Sequence, residues 1–368
     1  MNKITKIALA VLASFAISTA SFAGELSVTG TAKATYAIVS SDSISAGSSG
    51  GKGIGIANEF SLGASGELDN GYTWAYAQDI DGATVQDDAK MTLTTPYGTV
   101  GVFVSEGGIS SKYAFSTAAY APGSDYGYAG GSGKHDQAAT GAGFTYGDDI
   151  GGFNNFQYHL PSDWLMDGMT VKLAYAPNMG QNANASSNAS GSLPTDEDGQ
   201  TAKQIQITAA PIDGLSVSAS FFEKSYDASN TVNDGVNGGK YQSGGAGVKY
   251  STGPVSVGVG RFYVQPVVTD RMGKVRHYIN NSVSLGIAAN DNLSVSYMLE
   301  QSEATITEAQ AAGSGMKDGH TESEIESLQA AYTMGGMTLS VAAKSANDIS
   351  YTKGKDLNEF VTAVVMAF

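Results

Sequence analysis

Cysteine is absent from the 368-residue sequence. In an exported protein this excludes disulfide bonds, so stability has to come from a large core or a large sheet. Beyond residue 23 no run of 18 consecutive apolar residues occurs, which excludes a membrane-spanning helix. Acidic residues outnumber Lys and Arg 35 to 20. An acidic chain repels phosphates, and this argues against a nucleic-acid partner.

Catalytic and metal-binding motifs are also missing. Gly47–Gly51 fits the G-x-S-x-G pattern, but it lies in a Ser/Gly-rich stretch and not between a strand and a helix. The phosphate-loop pattern fails around Gly131–Lys134, because Tyr128 and His135 occupy its Gly and Ser/Thr positions. The four histidines are scattered without metal-ligand spacing. We therefore predict neither an enzyme nor a bound cofactor.

The first residues have the features of a secretory signal. Lys3 and Lys6 precede the apolar run Ile7–Ile17, and Thr19–Ala23 supplies small residues at a cleavage site. We expect residues 1–23 to be a signal peptide, cleaved after Ala23. Loss of the two lysines then changes the formal net charge from −15 to −17. The alternative is a membrane anchor, which the short apolar run disfavours.

Alternation with a period of two residues recurs along the rest of the chain. It is clear in Leu26–Tyr36, Leu215–Phe221, Leu293–Tyr297 and Met337–Val341, where apolar residues alternate with Ser, Thr or Lys. Such segments form strands with one apolar and one polar face. The mean hydropathy of −0.11 looks soluble, but the two faces of a transmembrane barrel give the same average.

Short and long connections alternate between these segments. The short ones contain the Gly, Asn and Asp residues that tight hairpins favour. They are 69–71, 96–98, 213–214, 252–254, 290–292 and 334–336. The long ones are polar, and they are 40–53, 177–200, 227–239 and 305–320. A membrane barrel with short periplasmic turns and longer outer loops has this pattern, whereas a soluble sandwich does not require it.

This pattern predicts sixteen strands with both ends of the chain on the same side. They are 25–38, 54–68, 71–81, 88–95, 98–104, 152–160, 168–176, 201–211, 214–226, 240–251, 254–266, 275–289, 292–304, 321–333, 336–346 and 356–368. Two features do not fit. The segment 321–333 alternates poorly, and Arg261 falls on an apolar face. The connection Ser105–Gly151 is much longer than the others, which is typical of a functional loop.

The mature chain, residues 24–368, resembles the general diffusion porins of Gram-negative bacteria, in particular the alphaproteobacterial type. The resemblance rests on the signal peptide, the pattern of sixteen strands with alternating short and long connections, the long connection after the fifth strand, and a last strand ending on Phe368. Asn155–Pro161 also looks like the strand that leaves the constriction loop of these porins, although Gln157 stands where an Arg is usual. The resemblance to these porins implies an all-β, 16-stranded antiparallel transmembrane β-barrel in the outer membrane, with an inward-folded third loop.

The resemblance also implies a set of pore residues. In the family, acidic residues of the third loop face basic residues of the barrel wall. The acidic candidates on Ser105–Gly151 are Glu106, Asp125, Asp136, Asp148 and Asp149. Alternation places a basic set on the polar faces of the strands: Lys33, Lys90, Lys172, Lys249, Arg276 and Lys344. Each lysine, taken alone, is equally well interpreted as a solvated wall residue, but a set of charges lining a pore sets its ion preference.

Assembly and partners follow from the same resemblance. Phe360, Val364, Met366 and Phe368 share one face and match the signal read by the barrel-assembly machinery. The family forms homotrimers in lipid and lipopolysaccharide, and the small residues Gly30, Ala32 and Ala34 on the apolar face of the first strand would allow close contact between barrels. We expect passive diffusion of small hydrophilic solutes and ions, with weak cation selectivity because acids are in excess.

Acidic loop residues leave one question about metals open. Asp79, Asp81, Asp87 and Asp88 surround one connection, and Asp196–Asp198 lie in another. Such carboxylates suit Ca²⁺, which would bridge the loops to lipopolysaccharide, or they form a solvated acidic rim. The rim is the favoured interpretation.

Two other functions remain open. A non-conducting barrel, either an adhesin or a surface-structural protein, would use the same strands and long loops. An outer-membrane enzyme is less well supported, since no Ser/His constellation is present.

Overall fold

The structure is a computed structural model that describes residues 25–41, 51–81, 84–124, 146–177, 201–225, 240–266, 275–306, 319–351, 353–354 and 356–368. Within these residues it contains sixteen strands and three short 3₁₀ turns. The strands are β1 (Glu25–Ser41), β2 (Gly51–Glu67), β3 (Thr73–Asp81), β4 (Thr84–Thr95), β5 (Gly98–Val104), β6 (Asn155–His159), β7 (Met169–Ala176), β8 (Thr201–Ala209), β9 (Leu215–Ser225), β10 (Lys240–Thr252), β11 (Val255–Gln265), β12 (Val275–Ala288), β13 (Leu293–Ile306), β14 (Gly319–Met334), β15 (Met337–Asn347) and β16 (Leu357–Ala367). The 3₁₀ turns are Ile150–Gly152, Ser162–Trp164 and Ile349–Tyr351.

The sheet closes on itself. Each strand pairs antiparallel with its neighbours in sequence, and β16 returns to pair with β1. Beyond the last strand residue, Phe368 and Gly30 exchange both backbone hydrogen bonds, at 2.8 and 3.0 Å. A closed barrel has no edge strand with unpaired backbone groups. The predicted sixteen-stranded antiparallel barrel is therefore confirmed.

The barrel has an apolar face and a polar face. On β12, Val283 and Leu285 are exposed, whereas Ser282 and Ser284 are almost fully buried. The same alternation continues on the neighbouring strands, because residues paired across a ladder point to the same side. Large exposed Val, Leu, Tyr and Phe side chains thus gather on one face, and Ser, Gln, Lys and Glu on the other.

Two strands begin where the sequence did not predict. The fourth strand starts at Thr84 and not at 88, so the connection between β3 and β4 is only 82–83. The sixth begins at Asn155 and not at 152, because Ile150–Gly152 forms a 3₁₀ turn that the Asp149 carboxylate caps at the Gly151 N–H. Every other boundary lies within three residues of the predicted one.

The poor alternation of β14 has a physical cause. Glu322, Glu324 and Glu326 share the apolar face with Leu328, whereas Ile325 points to the polar face and is buried there. Ile325 belongs to an apolar cluster on that face. Each face of this strand therefore changes character along its length, which a simple two-residue pattern does not capture.

Arg261 does lie on the apolar face, as its position in β11 predicted. It is exposed and stands opposite Asn281 on β12. That row continues through Gln301 and Glu324, which are hydrogen bonded at 2.7 Å. Arg261 thus belongs to a polar row that crosses four strands.

The tight turns use glycine where the backbone requires it. Gly71 and Gly214 have φ angles of 79° and 75°, a region that L residues with a Cβ rarely adopt.

In the described part of the chain, no helix is long and apolar enough to cross a membrane.

Candidate functional site

The connection between β5 and β6 lies against the polar face of distant strands. We call residues 105–124 and 146–154 the β5–β6 segment. The Ser111 hydroxyl lies 2.6 Å from that of Ser218 on β9. The Ala119 N–H donates to the Ser296 hydroxyl on β13, at 2.8 Å, and Gln329 on β14 accepts from Tyr120. Short polar side chains on the wall therefore satisfy backbone groups that irregular structure leaves unpaired.

Glycines on the wall let this segment approach closely. Gly247, Gly258 and Gly286 lie on β10, β11 and β12. A Cβ at Gly247 would lie 2.7 Å from the Phe115 nitrogen, and one at Gly286 would lie 3.0 Å from the Thr117 Cβ. At Gly258 it would overlap the Phe115 carbonyl group. The segment occupies a trough in the wall that larger side chains would fill.

An apolar cluster holds the middle of the segment. Phe115 is fully buried and packs with Tyr146, Phe262, Met298 and Ile325. The Tyr146 and Phe262 rings meet edge to face, with centroids 5.2 Å apart. The burial of these side chains, each contributing roughly 1.5–3 kcal/mol, stabilises the contact of this part of the segment with the wall.

Glu300 on β13 holds the segment at two separate points. Its carboxylate accepts the Ser124 N–H at 2.9 Å and the Ser124 hydroxyl at 2.7 Å. It also accepts the Tyr146 hydroxyl at 2.7 Å. Burial, with the Glu300 charge beside it, raises the pKa of Tyr146 well above its ordinary value, so Tyr146 stays a donor. One buried carboxylate therefore fixes the chain on both sides of 125–145.

Two of the predicted acidic residues form ion pairs with the wall. Glu106 pairs with Lys90 on β4. Asp148 pairs with Lys224 on β9, at 2.5 Å. The first pair joins two residues that the sequence assigned to opposing sets, although they lie in direct contact and not across a gap.

The third described acid has a different environment. Asp149 accepts the backbone N–H groups of Ile109 and Ser110, each at 2.9 Å. Its carboxylate therefore joins the two ends of the β5–β6 segment and forms no described ion pair. Asp125 and Asp136 lie outside the described residues.

Lys33 and Lys344 lie on the polar face in contrasting surroundings. The Lys33 ammonium is 5.0 Å from the centroid of the Tyr120 ring, within the range of a cation–π contact. Lys344 is buried and pairs with Glu359 on β16 at 2.7 Å. Lys33 is partly exposed, whereas the charge of Lys344 is balanced by Glu359 within the wall.

Lys172 and Lys249 also lie on the polar face. Lys172 stands opposite His159 across the β6–β7 ladder, and Lys249 stands opposite Ser216 across β9–β10. In the described part of the chain neither takes part in an ion pair. The side chain of Arg276 lies outside the described residues.

Sequence reasoning missed Lys224 and Glu300. Both share the polar face with serines on their own strands, Ser218 and Ser296, so the two-residue period contained the signal. For Lys224 the run Phe221–Phe222 interrupts the pattern. For Glu300 the hydrogen-bond partners on the segment, Ser124 and Tyr146, are more than 150 positions away along the chain.

The aspartates around the β3–β4 connection lie on strands. Asp79 and Asp88 stand opposite each other on β3 and β4, and Ser61 donates to Asp79. The side chains of Asp81 and Asp87 and the whole of residues 196–198 lie outside the described part. Among the residues that are described, no group of three or more His, Asp or Glu is arranged to hold a metal ion.

The C-terminal residues line one face of the last strand. Phe360, Met366 and Phe368 are exposed on the apolar face, and Val364 shares that face. The Phe368 ring packs over Gly30, where a Cβ would come within 2.9 Å of it, and lies 5.6 Å from Phe60.

Known structures share this architecture. No family model matches the chain, and no curated protein matches it. The solved structure of OmpT, an outer membrane protein of Vibrio cholerae, matches with a TM-score of 0.62 at 11% identity, over 95% of this chain and 99% of that one. OmpF of Salmonella typhi, in complex with daunomycin, gives 0.62 at 14%, over 94% and 98%. An anion-selective porin from Comamonas acidovorans gives 0.60 at 11%, over 94% and 100%. The chain therefore shares the barrel fold of these solved structures.

We predict that Glu300→Ala loosens the β5–β6 segment. Removing the carboxylate leaves the buried Ser124 N–H without its acceptor and takes one hydrogen-bond partner from each of the Ser124 and Tyr146 hydroxyls, at a cost of about 1–3 kcal/mol. Amide hydrogen exchange of residues 109–124 should then be about ten-fold to a hundred-fold faster, as measured by mass spectrometry in detergent. Glu326→Ala, which removes a carboxylate from the apolar face of β14, is the matched control and should leave this exchange unchanged. Equal exchange in all three proteins would show that Glu300 does not hold the segment.

Proposed function

We propose that this protein is an outer-membrane channel for the passive diffusion of small hydrophilic solutes and ions. One observation carries the proposal: a closed sixteen-stranded barrel presents its large apolar side chains on the exposed face and its charged and hydroxyl side chains on the other. A barrel of this strand number encloses an aqueous channel when its interior is polar. Residues 1–23, which lie outside the described part, would direct export as a cleaved signal peptide.

We further propose that the β5–β6 segment lies inside the barrel and sets the width of the channel. Glu106 of the segment contacts the polar face of β4, Ile150 that of β8, and Ser111 that of β9. Ala119 and Tyr120 contact the polar faces of β13 and β14. A single segment reaches one face of so many strands most simply from within the closed sheet. The glycine trough supports this assignment, because it makes room on the wall for the segment.

The pore charges would then come from both sides of the channel. Glu106 and Asp148 on the segment are paired with wall lysines, while Asp79 on β3 shares the polar face with Lys33 and Lys90. We propose weak cation selectivity, arising mainly from the excess of acidic residues over the whole chain. We also propose that the protein forms homotrimers, is inserted by the barrel-assembly machinery and contacts lipopolysaccharide.

The width assignment predicts the effect of a deletion. Removing residues 118–133 should raise single-channel conductance at least about two-fold, because the strands stay intact while an obstruction is removed. Planar-bilayer recordings measure this directly. Deleting residues 183–198, which connect β7 to β8, removes the same length from another connection and should have little effect. Unchanged conductance for 118–133 in a correctly folded barrel would place the segment outside the channel.

The charge excess predicts an ion preference that depends on salt. Reversal potentials in a KCl gradient should give a K⁺-to-Cl⁻ permeability ratio of about 2–5 near 0.1 M, falling toward 1 near 1 M, since the Debye length shrinks from ~10 to ~3 Å. A ratio below 1 at low salt would contradict the proposed selectivity and leave the channel proposal intact.

The small residues of β1 predict a site of oligomer contact. Ala32 and Ala34 lie on the apolar face beside Met366 and Val364. Native mass spectrometry in mild detergent should show three copies for the wild type. Ala32→Trp should shift the population to monomer, because overpacking costs about 1–3 kcal/mol per contact. Val283→Trp places the same side chain on the apolar face of β12 and should leave the trimer intact. A wild type that is monomeric in this measurement would contradict the proposed trimer.

A further inference from the structure

A polar cavity of about 370 Å³ lies between the β5–β6 segment and the wall formed by β9 and β10. Ser110, Lys112 and Tyr113 line it from the segment, and Ser216 and Lys249 line it from the wall. Lysine side chains thus approach this cavity from two separate parts of the chain. Its other lining groups are mainly serine hydroxyls.

The charges of the two lysines are not balanced locally. Within the described residues the ion pairs involve other lysines, namely Lys90, Lys203, Lys224, Lys240 and Lys344. Lys112 and Lys249 are in none of these pairs. The Lys112 ammonium lies 5.1 Å from the centroid of the Tyr113 ring, a contact that positions it without neutralising it.

One carboxylate, Asp149, also borders the cavity. Both of its oxygens already accept backbone hydrogen bonds, from Ile109, Ser110 and Gly151. These bonds hold the ends of the segment together and orient the carboxylate toward the chain. The ammonium groups of Lys112 and Lys249 together with the hydrogen-bonded Asp149 carboxylate give the cavity a net positive charge.

We propose that this cavity is a binding subsite for small oxyanions, with Lys112 and Lys249 as its charged donors. The proposal rests on the proposed channel function and names a class of solute for it, namely solutes that carry a carboxylate or phosphate group. An ammonium group donates up to three hydrogen bonds and accepts none, so it requires an acceptor as partner. Charge-assisted bonds to an oxyanion are roughly twice as strong as neutral ones, and the serine hydroxyls add further donors.

This subsite is compatible with a channel that weakly prefers cations. The preference comes from charges spread over the mouth and loops, whose effect fades beyond a Debye length. The subsite acts through direct contact, which salt screens much less. An oxyanion that enters the channel would therefore be retained briefly against β9 and β10, and its transit would saturate with concentration.

The test compares the wild type with Lys112→Gln/Lys249→Gln in planar bilayers. Inorganic phosphate or acetate replaces chloride at constant ionic strength and pH, and the two anions form separate arms of the experiment. We expect the wild-type current to saturate as the concentration of phosphate, of acetate or of both is raised. The anion that saturates the current identifies the preferred group. The loss of both charged donors should weaken binding about a hundred-fold or more and so abolish saturation.

The control is Lys52→Gln/Lys353→Gln, which removes the same charge from two exposed residues that do not line the cavity. It should saturate like the wild type. Broadening of the phosphate ³¹P NMR signal by the detergent-solubilised barrel gives a second readout that needs no conduction, and the ¹³C signal of labelled acetate does the same. A wild type that conducts no current but still broadens a signal in a Lys112- and Lys249-dependent way would refute the channel and keep the site. No binding of either anion by the wild type, or equal binding by all three proteins, would overturn the subsite.

Discussion

The pairing of β16 with β1 is the constraint on which the rest of the structure depends. In the proposed membrane location every strand N–H and C=O needs a partner within the sheet, because the hydrocarbon region of a membrane supplies none. Phe368 completes the closure through its two backbone bonds to Gly30 and its ring contact with Phe60. Only after closure do the two faces of the strands become the outside and the inside of a barrel. The functional meaning of the alternation between apolar and polar side chains therefore depends on the pairing of β16 with β1.

The polar face is itself divided into two regions. From β10 to β14 it carries glycines, short hydroxyl residues and the apolar cluster around Phe115, and there the β5–β6 segment is fixed. On β4, β8 and β9 it carries the polar side chains Lys90, Gln204 and Lys224, which contact the two ends of the segment. The segment is therefore fixed by apolar packing and hydroxyl contacts in its middle and by polar contacts at its ends. Glu300 is central to this arrangement, because it binds the chain on both sides of 125–145.

Much of the fold was predictable because it depends on local pattern. The two-residue period and the turn residues located all sixteen strands, since both act within a few positions of the chain. The errors arose where local pattern and tertiary packing disagree. The β6 start was misplaced because Asp149 caps a 3₁₀ turn, and β14 alternated poorly because Ile325 packs against Phe115 and Met298 on the polar face.

The site was less predictable than the fold. Strand parity placed Lys33, Lys90, Lys172, Lys249 and Lys344 on the polar face, but it said nothing of their partners. Whether a lysine is neutralised, as Lys344 is by Glu359, depends on the register between strands. The contacts of Glu300 and the cavity between Lys112 and Lys249 depend on the path of a long connection along distant strands, and no short-range pattern encodes that path.

The central claim is that a water-filled path crosses this barrel. Swelling of proteoliposomes in a graded series of uncharged sugars tests it most directly, because neutral solutes remove the influence of the charged residues. The account predicts rapid swelling with the smallest sugars and a steep decline as solute size increases. Proteoliposomes that contain the folded barrel and do not swell with any sugar of the series would contradict it.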